Sequence, residues 1–436
     1  MSRGAPIVAN IASMNPRELL LGSFQAALAA ADPARIVPAH LPAPPRGRTV
    51  VVGAGKAAAS MALAVEAHWP ADRALEGVVI TRYGHGLATK RIRVVEPGHP
   101  VPDEQGQNAA RDILALARSL GEDDLLLVLV SGGGSSLLAL PVESVPMADL
   151  KALTRDLLAS GAPIQDMNTV RKHLSLIQGG RLAAATRARS LALVISDVTG
   201  DDPTHIASGP CAPDPSTYGE ALDILARFAV APPASIGAHL RAGVAGRVAE
   251  TPKPGDASLA RAQNRVIATA HASLEAAAAY MRERGFAPLV LGDSVTGEAR
   301  EVAKVYAALA REARDHSQPQ PPPVALISGG ETTVTLRGQG RGGRNTEFLL
   351  SLAIALDGLE RTWALACDTD GIDGSEDNAG AVLTPDALAR AATLGLAPKA
   401  MLAGNDGYGF FSALGDLVVT GPTRTNVNDY RVILVQ

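Results

Sequence analysis

The segment LLLVLVSGGGSS (residues 125–136) joins six consecutive apolar residues to three glycines flanked by serines. A run that is apolar at every position, rather than at alternate ones, suits a strand buried on both faces, as in a parallel sheet covered by helices. Runs of the same kind lie on either side of it: TVVV (49–52), GVVIT (77–81), IRVVE (92–96) and LALVIS (191–196). Between them stand Ala-rich stretches such as KAAASMALAVEAHW and NAARDILALARSL, apolar at helical spacing. Strand and helix in alternation predict an open, mainly parallel α/β fold.

The same pattern returns later in the chain. VALISGGETT (324–333) again runs a buried strand into Ser-Gly-Gly, and WALAC (363–367), LVVT (417–420) and RVILV (431–435) supply further strands of a second α/β domain. The Pro/Gly-rich stretch TPKPGD (251–256) marks the expected boundary, giving domains 1–250 and 257–436, whereas QPQPPP (318–323) leads straight into a strand and reads as a loop. Ligands of open α/β sheets gather at the carboxyl ends of strands. Each half is therefore expected to bring one glycine-rich loop to a shared cleft.

Composition narrows the function. The 436 residues carry 40 Lys+Arg against 44 Asp+Glu, a formal net charge of −4, and only 3% are aromatic. Duplex nucleic acid calls for a clustered cationic footprint and single strands call for stacking platforms, so nucleic acid is excluded as a partner. Two cysteines, Cys211 and Cys367, make no disulfide framework and point to a reducing, cytoplasmic setting. Arg3, Arg17 and Glu18 interrupt the apolar stretches near the start, so no signal-peptide core is read there. No apolar run approaches the ~20 residues that span a bilayer, and no membrane partner is expected.

The glycine loops carry the candidate chemistry. In VVVGAGKAAAS, Gly53, Gly55 and Lys56 lie between a strand and an Ala-rich helix, where free N–H groups and the helix dipole attract anions. The Walker pattern fails, with Val50 where glycine is required and Ala57 in place of Ser/Thr. A dinucleotide fingerprint fits only as Gly53-x-Gly55-x-x-Ala58, and the next strand ends in Thr81, Arg82 and Tyr83 with no acid for a ribose. Tight strand-to-helix packing is the alternative reading of these glycines. Ser131, Gly132, Gly133, Gly134, Ser135 and Ser136 read as a backbone nest for phosphate oxygens, and Gly329, Gly330, Glu331 and Thr332 form the corresponding loop of the second half.

Acidic and basic groups follow. In ISDVTGDDPTHIASGP (195–210), Asp197 directly follows a strand and is a candidate for Mg²⁺. Asp201 and Asp202 read equally as metal ligands or as turn formers before Pro203. NTVRKHLS (168–175) places Arg171, Lys172 and His173 in one helical turn, either an anion clamp or a solvated face. GQGRGGRNTEF sets Arg341 and Arg344 among glycines just before a helix that starts with Asn345 and Glu347, a placement suited to charge on a transferred phosphoryl group. ACDTDGIDGSEDNAGA carries Asp368, Asp370, Asp373 and Asp377, but Ile372 and Asp373 stand where a calcium loop needs Asp/Asn and Gly. Thr423, Thr425, Asn426 and Asn428 add polar groups near the last strand.

Taken in order, VVGAGKAA, LVSGGGSSLLALP, NTVRKHLSLIQGGRLA, ISDVTGDDPTHIASGP, SGGETTVTLRGQGRGGRNTEF, ACDTDGIDG and TGPTRTNVNDY resemble the class II glycerate kinases, the family with a MOFRL-type C-terminal domain. The likeness runs from about residue 15 to the end. It implies a Rossmann-like N-terminal domain, a distinct α/β C-terminal domain, a site in the cleft between them, and transfer of phosphate from ATP, with Mg²⁺, to D-glycerate, most often at the 2-hydroxyl. The family's essential lysine matches Lys56 and its essential arginine Arg344. On this reading Arg171, His173, Arg341 and Asn345 are candidates for the acceptor, and Asp197, Asp202, Asp368 and Asp370 for the metal. The oligomeric state, a homodimer included, stays open. An NAD(P)H-dependent hydroxypyruvate reductase, with Gly53 to Ala58 on the pyrophosphate and Arg82 on a 2′-phosphate, is the rival reading.

Overall fold

The computed structural model describes residues 14–98 and 104–436, so Arg3 lies outside the described residues. The chain forms two compact units: Pro33–Ile267, and the segment ending at Asp32 together with Ala268–Gln436. The boundary expected at residues 251–256 is thus corrected to about residue 267. The reason is a strand that the sequence reading missed, because its polar residues hide it.

In the first unit, β1 (Thr49–Ala54), β2 (Leu75–Ile80), β3 (Ile92–Val95), β4 (Leu125–Val130), β5 (Arg189–Ile195) and β6 (Ala262–Ala268) are ordered 3-2-1-4-5-6. The β3-β2-β1-β4-β5 pairings are parallel, in register with Val52 opposite both Val78 and Val128. This is the doubly wound order, with its reversal between β1 and β4. Val50, Val52, Leu126 and Val128 pack with Ala110, Ile113 and Leu114 of the helix Glu104–Arg118, each large side chain contributing about 1.5–3 kcal/mol of burial. Four further helices, Met147–Ala159, Ile164–His173, Tyr218–Arg227 and Ala234–Val244, share a separate core around Leu153, Leu157, Val170, Leu174, Ile224 and Leu240.

The second unit is built on β7 (Ala287–Val295), β8 (Val324–Gly330), β9 (Thr362–Asp368), β10 (Gly380–Leu383), β11 (Leu417–Val418) and β12 (Asp429–Val435), ordered 11-10-9-12-8-7. Only β7 and β8 pair in parallel; β12 lies antiparallel between β8 and β9. Helices Ala299–His316 and Arg344–Leu356 pack on one face. Helices Pro16–Ala30 and Ala270–Glu283 pack on the other, where Phe24 meets Tyr430 and the Tyr430 hydroxyl donates to Ser23 Oγ. The first helix among the described residues therefore belongs to the second unit. Among the described residues no helix is long and apolar enough to cross a membrane.

Candidate functional site

Parallel, adjacent strands put their following loops side by side. Lys56 after β1, Ser131–Ser136 after β4 and Asp197 after β5 thus share one end of the first sheet, at its switch point. The contacts there are short. Lys56 N donates to Gly132 O at 2.8 Å, Ala57 N to Ser131 Oγ at 2.9 Å, and Gly55 N to Ile80 O at 3.1 Å. Ser208 Oγ donates to Ser135 Oγ at 2.9 Å, and Gln178 Nε2 to Ser135 O at 2.8 Å. Ser131 is fully buried, while Lys56, Ser135, Ser136 and Asp197 are half-buried.

Those contacts revise the reading of Gly53 and Gly55. A Cβ on Gly53 would sit 2.0 Å from Leu129 O, and one on Gly55, whose φ is +139°, would sit 2.1 Å from Ser131 Oγ. The glycines permit close approach of β1 to β4, and the amides of residues 55, 56 and 57 are spent inside the protein, which removes them from a phosphate cradle. Of the SGGGSS loop, Gly133 adopts φ 78° and a Cβ on Gly134 would meet Ala207 at 2.5 Å; Ser135 and Ser136 hold its partly exposed hydroxyls.

The basic triplet divides three ways. Arg171 is half-buried beside Asn168, its Nη1 donating to Oδ1 at 3.5 Å, and burial lowers its pKa. Lys172 is buried against Asp214 at 3.3 Å. His173 is fully buried, with Nδ1 at Thr169 O, Nε2 3.2 Å from Glu250 Oε2 and its ring edge-on to Tyr218; burial pulls its pKa down. The expectation that His173 touches substrate is corrected: it is a core histidine. Asp202 Oδ1 accepts from Thr204 N at 2.8 Å and so forms the turn before the short helix, the second of the two readings offered by the sequence.

In the second unit Arg344 opens the helix Arg344–Leu356 and is gripped by carboxylates. Its Nε lies 2.8 and 2.9 Å from the two Asp429 oxygens, Nη2 lies 2.8 Å from Asp368 Oδ2, and Nη1 3.4 Å from Glu331 Oε1. Burial alone would lower its pKa, but Asp429, Asp368 and Glu331 hold it well above arginine's ordinary value. The guanidinium is permanently charged, fixed in direction, and still 23% exposed as a side chain. Asp373 replaces a local cap for this helix: its carboxylate accepts from Asn345 N, Thr346 N and Thr346 Oγ1 at 2.8–2.9 Å. A Cβ on Gly343 would lie 2.3 Å from Asp373 Oδ1, so glycine is required for that approach.

Several expected ligands are consumed by this network. Asp368 pairs with Arg344 and accepts from Asp370 N, while Asp370 accepts from Ile372 N; both are buried, and the metal assignment to them is corrected to a role in shaping the loop. Asn345 is fully buried, its Nδ2 donating to Asp429 Oδ1 at 2.8 Å, so it orders the network rather than meeting an acceptor. Gly329 O and Thr332 Oγ1 receive the Arg431 guanidinium at 3.2 and 3.0 Å, and Gly330 lies within β8, so these residues are corrected from phosphate ligands to sheet and network contacts. Glu331 is exposed, its nearest partner being Arg344. Arg341 is exposed, paired with Glu376 and stacked over Tyr408 at 4.4 Å.

The sequence reading missed Asp429 and Arg431, both buried and joined at 2.5 Å, and the Arg300–Glu347–Asn405 set that ties the first turn of the helix Arg344–Leu356 to its neighbours. A signal was present: two opposite charges two residues apart in the strand DYRVILV must be paired if buried. Among the described residues no group of three or more His, Cys, Asp and Glu is arranged to hold a metal ion. Mg²⁺ asks for less than that, one or two carboxylates with water and phosphate oxygens, and the half-buried Asp197 at the end of β5 fits such an ion.

Comparison with known proteins places these features in a group. The family model described as a domain of unknown function, DUF4147, matches residues 19–241, and the model of the MOFRL family matches residues 324–429. A protein of Agrobacterium vitis named "Putative hydroxypyruvate reductase" is 52% identical over 97% of this chain and 95% of its own. The D-glycerate 2-kinase of Thermotoga maritima is 38% identical over 96% of this chain and 98% of its own. The crystal structure of glycerate kinase from Thermotoga maritima superposes with a TM-score of 0.85 at 37% identity, covering 96% of this chain and 99% of the other.

Proposed function

The chain belongs to the glycerate kinase family with a MOFRL-type C-terminal region, and from that membership we propose that it transfers the γ-phosphoryl group of ATP to D-glycerate, at the 2-hydroxyl. The observation that carries this reading is the state of Arg344, a cation held by three carboxylates and left partly open at a helix N-terminus. Phosphoryl transfer needs little covalent help from protein; it needs position and charge neutralisation. The substrate hydroxyl attacks phosphorus in line, the P–O bond to ADP breaks, and the hydroxyl proton leaves to a base or to solvent. Arg344 and Lys56 neutralise charge on the transferring group, Ser135 and Ser136 hydrogen-bond phosphate oxygens, and Arg171 faces an anion. Asp197 holds Mg²⁺ or orients the attacking hydroxyl. A bound Mg²⁺ would neutralise phosphate charge on the donor.

The name carried by the Agrobacterium vitis relative favours a second reading, reduction of hydroxypyruvate with NAD(P)H. Against it stand the spent amides at residues 55–57 and the missing acid for a ribose. One experiment decides. Purified protein is incubated with D-glycerate, ATP and Mg²⁺, the phosphoglycerate isomer is identified by ³¹P NMR, and NADPH oxidation by hydroxypyruvate is followed in parallel. The expected product is 2-phosphoglycerate, and Arg344→Ala should lower kcat by about a thousandfold; activity in the reductase mixture alone sinks the proposal.

A further inference from the structure

A cavity of about 430 Å³ opens in the first unit beside the serine end of the SGGGSS loop. Ala139, Leu140, Met147, Leu150 and Leu158 give it apolar walls, and Ser136 belongs both to the wall and to the loop. Its charged lining is one-sided: Lys151, Arg155 and Arg171 take part, and among the described residues no carboxylate does. Arg155 pairs outside with Asp156 at 3.7 Å, whereas Arg171 has a neutral neighbour, Asn168. A cation partly removed from water among apolar groups favours an anionic ligand, because an opposite charge restores what desolvation takes away.

Size and polarity decide which ligand. D-glycerate carries a carboxylate or hydroxyl on every carbon and offers almost no surface for leucine and methionine to cover. Pockets of roughly 300–1,000 Å³ with mainly apolar walls suit larger molecules that have a flat apolar body and a few polar anchors. The donor of the proposed reaction is such a molecule, a purine nucleoside attached to a polyanion. We infer that this cavity seats the nucleoside of the phosphoryl donor, with the base against Leu150, Met147 and Leu158. The first phosphates meet Arg171 and Lys151, and the chain of phosphates continues past Ser136 along the loop. This rests on the kinase reading for the identity of the donor, but the seat itself is testable without turnover.

Leu150→Trp fills the cavity from the helix Met147–Ala159, and Lys151→Glu reverses a half-exposed charge with little effect on folding. ADP is titrated calorimetrically into wild type and both variants, with circular dichroism as the check on fold. In each variant the Kd for ADP should rise about tenfold, equivalent to 1.4 kcal/mol, while the KM for D-glycerate stays within about twofold. An unchanged Kd in both folded variants overturns the assignment, as does a rise in the D-glycerate KM alone. Wild type judges the kinase reading separately: ADP binding lost in the variants, without phosphoglycerate from wild type, keeps the seat and sinks the kinase.

Discussion

After β4 the chain reads Ser-Gly-Gly-Gly and turns into a short helix; β8 itself ends in Ser-Gly-Gly, and from Glu331 the chain runs beside the segment that follows β7, with Thr333 N donating to Gly297 O. The first loop is secured by neutral groups: Ser131 Oγ, Ser135 Oγ, Gln178 Nε2 and the main chain. The second is secured by charge, with Arg431 reaching Gly329 O and Thr332 Oγ1 while Asp429 bridges Arg431 and Arg344. Neutral hydrogen bonds contribute about 0.5–1.5 kcal/mol each and fail singly. A buried ionic network must offset the desolvation of every member, so it fails as a set when one partner is lost. One sequence motif thus supports two kinds of loop, one tolerant and one brittle.

After Arg344→Ala itself, the largest effect should follow Asp429→Asn, which leaves Arg344 and Arg431 under-neutralised. Misplacement of a charge-stabilising group by about 1 Å costs about a hundredfold, so kcat should fall by about that factor with a smaller change in KM. Ser208→Ala, which removes a donor to the neutral loop, should cost about 1 kcal/mol of stability and far less turnover. Equal losses of kcat in the two variants would erase the contrast.

The first unit has its own buried ion pair, Lys172–Asp214, with side chains 3% and 0% exposed. Desolvation raises the Asp214 pKa, but Lys172 and Ser216 outweigh it and hold the carboxylate below its usual range. A depressed carboxylate contributes stability above its unfolded pKa and loses it as pH falls through the folded value. Asp214→Asn should therefore cost about 3 kcal/mol at pH 7 and should flatten the decline of Tm on acidification below about pH 4. Parallel Tm profiles for wild type and variant would place the acid sensitivity elsewhere. The smallest functional effect is expected for His173→Gln: Tm falls, while the KM for D-glycerate stays within about twofold because a fully buried histidine does not meet substrate. A clear rise in KM in the folded variant would return His173 to the site.

β1 and β4, buried at every position, were legible as continuous apolar runs, and β2, β3 and β5 still showed apolar runs although Glu76, Arg93 and Arg189 lie within them. By the same logic β6, with Gln263, Asn264 and Arg265, and β7, with Asp293 and Ser294, stayed hidden, and the boundary was read too early. Lys56, Arg344 and the serine loop were legible because glycine and charge cluster at strand ends. The carboxylates were read as metal ligands for the same local reason, acids next to a strand, although their partners lie far along the chain: Arg344 meets Asp429 across 85 positions and Asn345 meets Asp373 across 28.

Local sequence by itself determined the strand and helix alternation, the two glycine loops and the identity of the cations, because backbone preference and hydrophobic periodicity act over a few residues. Which carboxylate neutralises which cation, which glycine is there for packing, and that His173 and Asn345 are buried were decided only by tertiary structure. Charge pairing and close packing depend on distance in space, and only the folded sheets bring those residues within it.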